Sequence, residues 1–345
     1  MGAKKVSLKD IALKAGVSTA LVSYVLNGKE KESRVGHEIA VKIKEIAKEM
    51  NYQPNHLAKS LRSGKTHTIG LVIADISNPF FANIARVVED EAKRNGYTVI
   101  IGSCDENANK AWDLINVLIN RQVDGFIIVS SEHSESHITH LREKKIPFVL
   151  LDRHFPELQT DFVATNNYKA SYDAGVHLIE NGYEKVGLIA YKLDMFHMQE
   201  RIRGYQHALR DKQIARSTDW LKELNFETIE KDMGKAIDAM VKMENRPDAL
   251  IFATYGLAIN GLKYINELKL KVPQDFAIVS FGQAEVFDLY YCPITYMHQP
   301  LEQLGKTAVE MLIHKMKNPE EAMKQILMEA KLIPRDSSVS KIKAK

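Results

Sequence analysis

Cysteine is nearly missing from this chain: 345 residues hold two, Cys104 and Cys292. They are too few and too far apart for a disulfide framework or a cysteine metal site, so two reduced thiols are expected. Long apolar runs are missing as well; none reaches the roughly 20 residues that span a bilayer. The opening "MGAKKVSLKD" has no apolar core behind its lysines, so no secretory signal is expected there. Gly2 before Ala3-Lys4-Lys5 is a weak myristoylation signal. A cytoplasmic protein without membrane contact follows as the expectation. Catalytic signatures are missing too. No G-x-G-x-x-G follows the first strand of the body, and there is no P-loop and no G-x-S-x-G elbow. The nearest approach to a metal cluster is "EHSESHITH", with His133, His137 and His140. Polar residues at a loop-to-helix junction account for it, so no metal, no cofactor and no catalytic residue are expected.

What the chain has is an uneven charge. Its net of +3 conceals a head, residues 1–67, with 13 Lys or Arg against 6 Asp or Glu. The rest carries 34 against 38, so one basic end joins a mildly acidic body. Such a split points to an anionic polymer meeting the N-terminal end, or to a solvated basic face. The apolar content of 45% is that of a soluble globular protein long enough for two or three packed units.

The head reads as "VSLKDIALKAGVSTALVSYVLNG", Val6 to Gly28. Ser7 and Asp10 have N-cap and first-turn spacing, and Ile11, Ala12 and Ala15 give a short apolar face. Gly16 ends that helix. Ser18 caps a second, in which Leu21, Val22, Val25 and Leu26 recur at helical spacing before Asn27-Gly28. Helix, turn of about four residues, helix is the order of a helix-turn-helix, whose second helix can enter a major groove. Ser18, Thr19, Ala20, Ser23, Tyr24 and Asn27 are the residues it would present to DNA. An unrelated helical hairpin fits the same pattern. A third helix, from about Ser33 to Met50, places Ile39, Ile43, Ile46 and Ala47 toward a small core. Asn55 then caps a short stretch with Leu57, Ala58 and Leu61, too short to be stable alone in water.

From Thr68 the grammar changes. "TIGLVIAD" is a continuous apolar run of the kind a buried parallel strand shows. "NPFFANIARVVEDEAKRNGY" reads as a helix, "TVIIGSC" as a strand, and Asn107 to Arg121 as another helix. "DGFIIVS", a helix from His137 to Lys144 and "PFVLLD" continue the alternation. It restarts beyond "DFVATNN", with a helix from Ala170, "KVGLIA", a helix over Arg201 to Arg210, "DALIFAT", a helix from Ala258 and "DFAIVSFG". Two similar doubly wound lobes are predicted, and a late helix, "PLEQLGKTAVEMLIHKMKN", with one late strand, "ILMEAKLIPRDSS", would tie them together. Ligands of open parallel sheets bind at the C-terminal strand ends, which two facing lobes turn into a cleft closed by hinge motion. Asp75, Asp152, Arg153, Asn166 and the segment around Gly282 should edge it. Phe80 and Phe81 either stack on a sugar or base there or pack helix to sheet.

At this point the chain resembles the LacI/GalR family of bacterial transcription regulators over essentially its full length. The pieces are "LKDIALKAGVSTALVSYVLNG", "YQPNHLAKSLRSGKTHTIGLVIADISNPFF", "VDGFIIVS", "RIRGY" and "LIPRDSS", in order and at matching distances. The resemblance implies a small all-α helix-turn-helix head and an α/β body of two lobes like periplasmic binding proteins. It implies that Thr19, Ala20 and Tyr24 read bases. It implies that Leu61, with Ala58 beside it on a hinge helix, wedges into the minor groove, as apolar intercalating side chains do. It implies that Arg201 hydrogen-bonds effector hydroxyls or carboxylates, and that Asp75, Phe80 and Phe81 line the cleft. Two departures stand out. The family usually has Arg where this chain has Tyr24, and Tyr cannot hold guanine bidentately. It usually has Gly-Phe-Asp where this chain reads "IVSFGQAE", so Gly282 or Gln283 stands where the effector-binding Asp is expected.

The expected organisation is a DNA-binding head over 1–53, a hinge over 54–67, lobes over 68–166 and 167–297, and a tying segment over 298–340. The expected function is sequence-specific transcriptional regulation by a repressor. Its partners would be a pseudo-palindromic operator, a second copy of the chain, and a sugar or sugar-derived effector. A cytoplasmic small-molecule binding protein and control by a protein corepressor are the alternatives.

Overall fold

The structure, a computed structural model, describes residues 6–52, 64–214 and 217–341. The chain divides into one unit that ends at Thr66 and another that starts at His67.

In the first unit three helices, α1 (Leu8–Ala15), α2 (Thr19–Leu26) and α3 (His37–Glu49), enclose a core of small and branched side chains. The start of α1 is a capping box. Ser7 Oγ accepts from the Asp10 N–H at 3.4 Å, and the Ser7 N–H donates to the Asp10 carboxylate at 2.8 Å. Gly16 closes the helix with φ 74°, and Ser18 Oγ accepts from the Leu21 N–H to open α2. Ile11, Val22, Val25 and Ile43 fill the centre. The third helix begins at His37, later than the sequence suggests. The segment before it folds into turns, with Lys29 N–H on the Tyr24 carbonyl and Val35 N–H on that of Glu30. That start leaves Ile39, expected in the core, 43% exposed, and Ala40 takes the inward place. Asn55, Ala58 and Leu61 of the expected hinge lie outside the described residues.

The second unit alternates strand and helix. In chain order its first elements are β1 (Thr68–Ile73), α4 (Pro79–Arg94), β2 (Thr98–Ser103), α5 (Ala108–Asn120), β3 (Gly125–Ile128), α6 (Glu135–Glu143), β4 (Phe148–Leu151) and β5 (Phe162–Thr165). Then come α7 (Asn167–Glu180), β6 (Val186–Tyr191), α8 (Phe196–Asp211), β7 (Leu221–Leu224), α9 (Ile229–Lys242), β8 (Ala249–Phe252), α10 (Tyr255–Glu267), β9 (Ala277–Phe281), the short α11 (Val286–Leu289) and β10 (Thr295–His298). Last are α12 (Leu301–Lys317), β11 (Gln325–Met328) and β12 (Lys331–Ile333).

Two six-stranded sheets result, in the orders β11-β5-β4-β3-β1-β2 and β12-β10-β9-β8-β6-β7. The central strands are parallel and apolar throughout, as burial on both faces requires. The tail is shared out differently from the sequence reading. Helix α12 packs on α4 and on β3, β4 and β5, so it belongs to lobe one. The single late strand is two strands in two sheets: β11 runs parallel to β5, and β12 antiparallel to β10. The chain thus passes between the lobes three times, after β5, β10 and β11. The serines of "RDSS" fasten its end to lobe two. Ser337 Oγ donates to the Ile278 carbonyl at 2.7 Å, and Ser338 Oγ lies 2.6 Å from Thr295 Oγ1 and 2.7 Å from His177 Nε2.

Two packing details position the cleft. Helices α7 and α8 touch so closely at Gly204 that a Cβ there would lie 2.2 Å from the Tyr168 carbonyl oxygen. The loop entering α8 reaches from lobe two into lobe one. Met195, 2% exposed, sits in the lobe-one core with Phe155 and Phe162, and Leu193 packs beside it. The Phe196 ring stands edge-on to His154 at 5.1 Å, and the Asp194 N–H donates to Glu132 at 2.7 Å.

Candidate functional site

In the head, the exposed face of α2 and its cap presents Ser18, Thr19, Ala20 and Tyr24 to solvent. Ser23 is half-buried, and the Asn27 side-chain amide donates to its carbonyl at 2.7 Å and approaches its hydroxyl at 3.3 Å. Asn27 therefore closes the helix as well as standing at its outer end.

In the body, a cleft opens to solvent between the lobes, at the C-terminal ends of the strands. Lobe one contributes Phe80 and Phe81 from the start of α4, Glu106 after β2, and Asp152 and Arg153 after β4. Lobe two contributes Tyr191, His197, Arg201, Phe226, Thr254, Tyr255, Gly282 and Gln283. Of the sequence candidates, Phe80, Phe81, Asp152, Arg201, Gly282 and Gln283 come together here, while Asp75 and Asn166 are not in the lining. Both polar side chains serve the backbone instead. Asp75 accepts from the Ser77 N–H and hydroxyl in the turn after β1. Asn166 caps α7 by accepting from the Lys169 N–H and donates to Glu329 beside the third crossing.

Arg201 is the buried centre of the lobe-two wall. Its guanidinium lies 3.6 Å from the centroid of the Phe281 ring. Nε donates to Asn167 Oδ1 at 2.8 Å and Nη1 to the Ala253 carbonyl at 2.6 Å. Burial lowers its pKa to about 9 against the opposing pull of Asp152. Burial pushes the Asp152 carboxyl up, with Arg201 and Arg153 working against that. Its backbone takes φ 65°, and its Oδ1 has no hydrogen-bond partner among the described residues. Arg153 holds Glu106 bidentately at 2.6 and 2.7 Å. Burial pulls that guanidinium down, and Glu106 outweighs it, so its pKa ends above the ordinary value. His197 is held well below the usual imidazole range by burial, then by Arg153 and Arg201, and so stays neutral. Gly282 has φ 88°, which explains a glycine where an acid was sought: a Cβ would have room, but the backbone is left-handed. Beside it the Gln283 side chain meets His298.

Family models match at both ends of this architecture. Residues 7–55 match "Bacterial regulatory proteins, lacI family", and residues 176–338 match "Periplasmic binding protein-like domain". The chain is 31% identical to the HTH-type transcriptional repressor PurR of Aliivibrio salmonicida (strain LFI1238), over 96% of this chain and 98% of that one. The chain belongs to the lacI family. Another relative is the ribose operon repressor of Haemophilus influenzae, 32% identical over 97% of this chain and 99% of its own. Among solved structures, a lac repressor dimer bound to operator and the anti-inducer ONPF is 21% identical with a TM-score of 0.84, covering 97% of this chain and all of that one. A lacI-family regulator of Enterococcus faecalis V583 with bound ribose is 27% identical with a TM-score of 0.69, over 79% and 99%.

As a lacI-family member the chain is a sequence-specific DNA-binding regulator of transcription and not an enzyme. Among the described residues no three or more His, Cys, Asp or Glu are grouped to hold a metal ion, and no helix is long and apolar enough to cross a membrane. His137 and His140 pack on Trp112, at ring distances of 4.9 and 5.1 Å. Both cysteines are buried and free.

Sequence reasoning missed Glu106, Tyr191, His197, Phe226, Thr254 and Tyr255 in the cleft. One signal was present: His197 and Met198 precede Arg201 by four and three residues, which is one helix face. The others follow strands whose ends carry no motif.

Proposed function

We propose that this regulator is a repressor that binds a pseudo-palindromic operator as a homodimer, and that a sugar or sugar derivative in the interlobe cleft switches it. The observation that carries the reading is Arg201. It is buried, stacked on Phe281, and shares a cleft with aromatic walls with an Asp152 oxygen that has no hydrogen-bond partner among the described residues. Aromatic faces with a few fixed polar groups are what a small polyhydroxylated ligand requires. The relatives named HTH-type transcriptional repressor PurR and ribose operon repressor, the ribose-bound neighbour and the lac repressor dimer on its operator support the same reading.

In this reading Thr19, Ala20 and Tyr24 face base edges, and Ser18 and Ser23 lie toward the backbone. Lys and Arg of the head neutralise phosphates, so affinity for DNA falls steeply with salt. Two heads on one dimer meet successive major grooves about 34–36 Å apart. Ligand closes the lobes and changes the affinity for operator by a coupling of typically 1–3 kcal/mol.

A thermal-shift screen of the full-length protein against sugars, sugar acids, sugar phosphates and nucleobases tests the cleft, since binding to the folded state raises apparent stability. The expected result is a ligand whose shift disappears in Arg201→Ala while operator affinity changes less than about tenfold. Calorimetric binding that is intact in Arg201→Ala would remove Arg201 from the site. Operator binding that responds to no small molecule, but does respond to a protein fraction, would move control to a corepressor.

A further inference from the structure

The lobes are joined by links of two kinds. Three are covalent, the passages after β5, β10 and β11. They are braced to one another. Gln299 Nε2 donates to Thr165 Oγ1 at 3.1 Å, and Asn166 Nδ2 donates to Glu329 Oε1 at 3.1 Å. Strands tied in that way permit bending and resist separation, as a hinge does. The fourth link is the loop between β6 and α8. It reaches from lobe two into lobe one and returns, and packing and hydrogen bonding hold it there. A link of that kind can be released.

The loop carries an apolar plug on a stiff mount. Met195 is buried in a cluster whose other buried members all lie within residues 72–164, and Leu193 packs on the same cluster. Phe196 meets the ring of His154, which lies flat on Phe162 at 3.8 Å. The Asp194 N–H donates to Glu132 at 2.7 Å. Behind the plug, Asp194 Oδ1 accepts from Gln199 Nε2 at 2.7 Å, and the Met195 carbonyl accepts from the N–H groups of Met198 and Gln199 as α8 begins. Withdrawing Met195 therefore moves α8, and Arg201 with it. Two forces meet at the contact. Burial of Met195, Leu193 and Phe196 favours the shut arrangement. Against it, His154 Nδ1 and His197 Nδ1 are buried with no hydrogen-bond partner among the described residues, and both regain hydration when the lobes part. A wholly apolar contact would lock; one with unmet polar atoms at its margin can let go.

We propose that the loop over residues 193–196 is a latch. Met195, seated in lobe one, holds the lobes shut, and it leaves in brief openings about the three passages while both lobes stay folded. The latch sets how often the cleft opens, whichever molecule fills it. Closure by a ligand adds to a contact that the chain already makes, so the strength of the latch fixes how far a ligand can still move the balance.

The test is peroxide oxidation of the full-length protein, followed at each methionine by peptide mass spectrometry, because an oxidant reaches a buried thioether only when its site opens. Met323, 47% exposed, sets the rate for an open site, and Met240, 0% exposed within lobe two, sets the rate that requires its lobe to unfold. Met195 should oxidise about tenfold or more slowly than Met323, and about tenfold or more faster than Met240. A Met195 as fast as Met323 shows that no latch is shut. A Met195 as slow as Met240 shows that the contact parts only by unfolding. Either result overturns the proposal. Hydrogen exchange in Met195→Ala is the second measure. The Asp194 amide should exchange about tenfold or more faster than in the parent protein, with the Leu188 and Ile189 amides of β6 unchanged. Met195→Leu refills the space and should restore the slow exchange. An unaltered Asp194 amide in Met195→Ala, or equal acceleration in β6, overturns the latch.

Discussion

The two lobes share a strand order and differ in how they are completed. Lobe two has one continuous core, built around β6, β8 and β9 from residues that follow one another in the chain. Lobe one has two cores, one on each face of its sheet. One needs Leu304, Ala308 and Leu312 of α12, and the other needs Met195 from the loop of lobe two. The sheets differ likewise: β11 extends lobe one in parallel, and β12 closes lobe two antiparallel. The difference teaches where coupling enters a duplicated fold. Met195 is the N-cap of α8, and His197, Met198 and Arg201 on the following turns line the cleft. One rigid helix therefore joins the core of lobe one to the ligand wall of lobe two.

The strongest way to break this contrast is Met195→Ala. A buried Met→Ala change costs about 2–5 kcal/mol, and here the cost should fall on lobe one and on the docking of the lobes together. Urea unfolding should split into two transitions, whereas Met240→Ala, inside lobe two, should lower stability without splitting it. A single shifted transition in both variants would make the lobes equivalent. Gly204→Ala comes next. It drives a Cβ into the Tyr168 carbonyl and should cost about 1–3 kcal/mol, localised to α7 and α8 by hydrogen exchange. If exchange there is unchanged, the close approach is not limiting.

A smaller effect is acid sensitivity at the lobe contact. His154 stacks on Phe162 at 3.8 Å, and burial lowers its pKa from 6.5 to about 4. His197 is lowered in the same direction. Both bind protons more readily unfolded than folded, so they cost nothing above pH 6.5, and stability declines as the pH falls from 6.5 toward 4. Melting temperature against pH should show that decline, and His154→Phe should flatten it. The smallest effect is in the head. Ser7→Ala removes one capping partner, should cost about 1 kcal/mol, and should leave the unfolding of the body unaltered.

The fold was legible wherever the residues carried periodicity or a cap. "TIGLVIAD", "DGFIIVS" and "DFAIVSFG" are buried runs, and Ser7, Gly16 and Ser18 mark helix ends. Strand β7 was not legible, because "LKEL" at a sheet edge is half polar, and α9 after it was missed with it. The late strand was read as one because the turn at Glu329-Ala330 carries no Gly or Pro to divide it. In the cleft, Asp152 and the two phenylalanines were visible as strand-end or helix-start residues, and Arg201 only through the family resemblance. Asp75 and Asn166 lie outside the lining for a physical reason: the same strand ends also need caps and turns, and a short polar side chain serves its own backbone first.

The three passages between the lobes have a consequence in time. A chain leaves the ribosome from its N-terminal end, at roughly 5–20 residues per second. Strand β5 of lobe one is made first, but its neighbour β11 follows about 160 residues later, after every strand of lobe two except β12. For on the order of ten to thirty seconds the older half of the protein lacks its edge strand and the helix that covers one apolar face. The lobe that begins first therefore waits until nearly all of the second has been made, and its uncovered face is where the nascent chain has need of a chaperone.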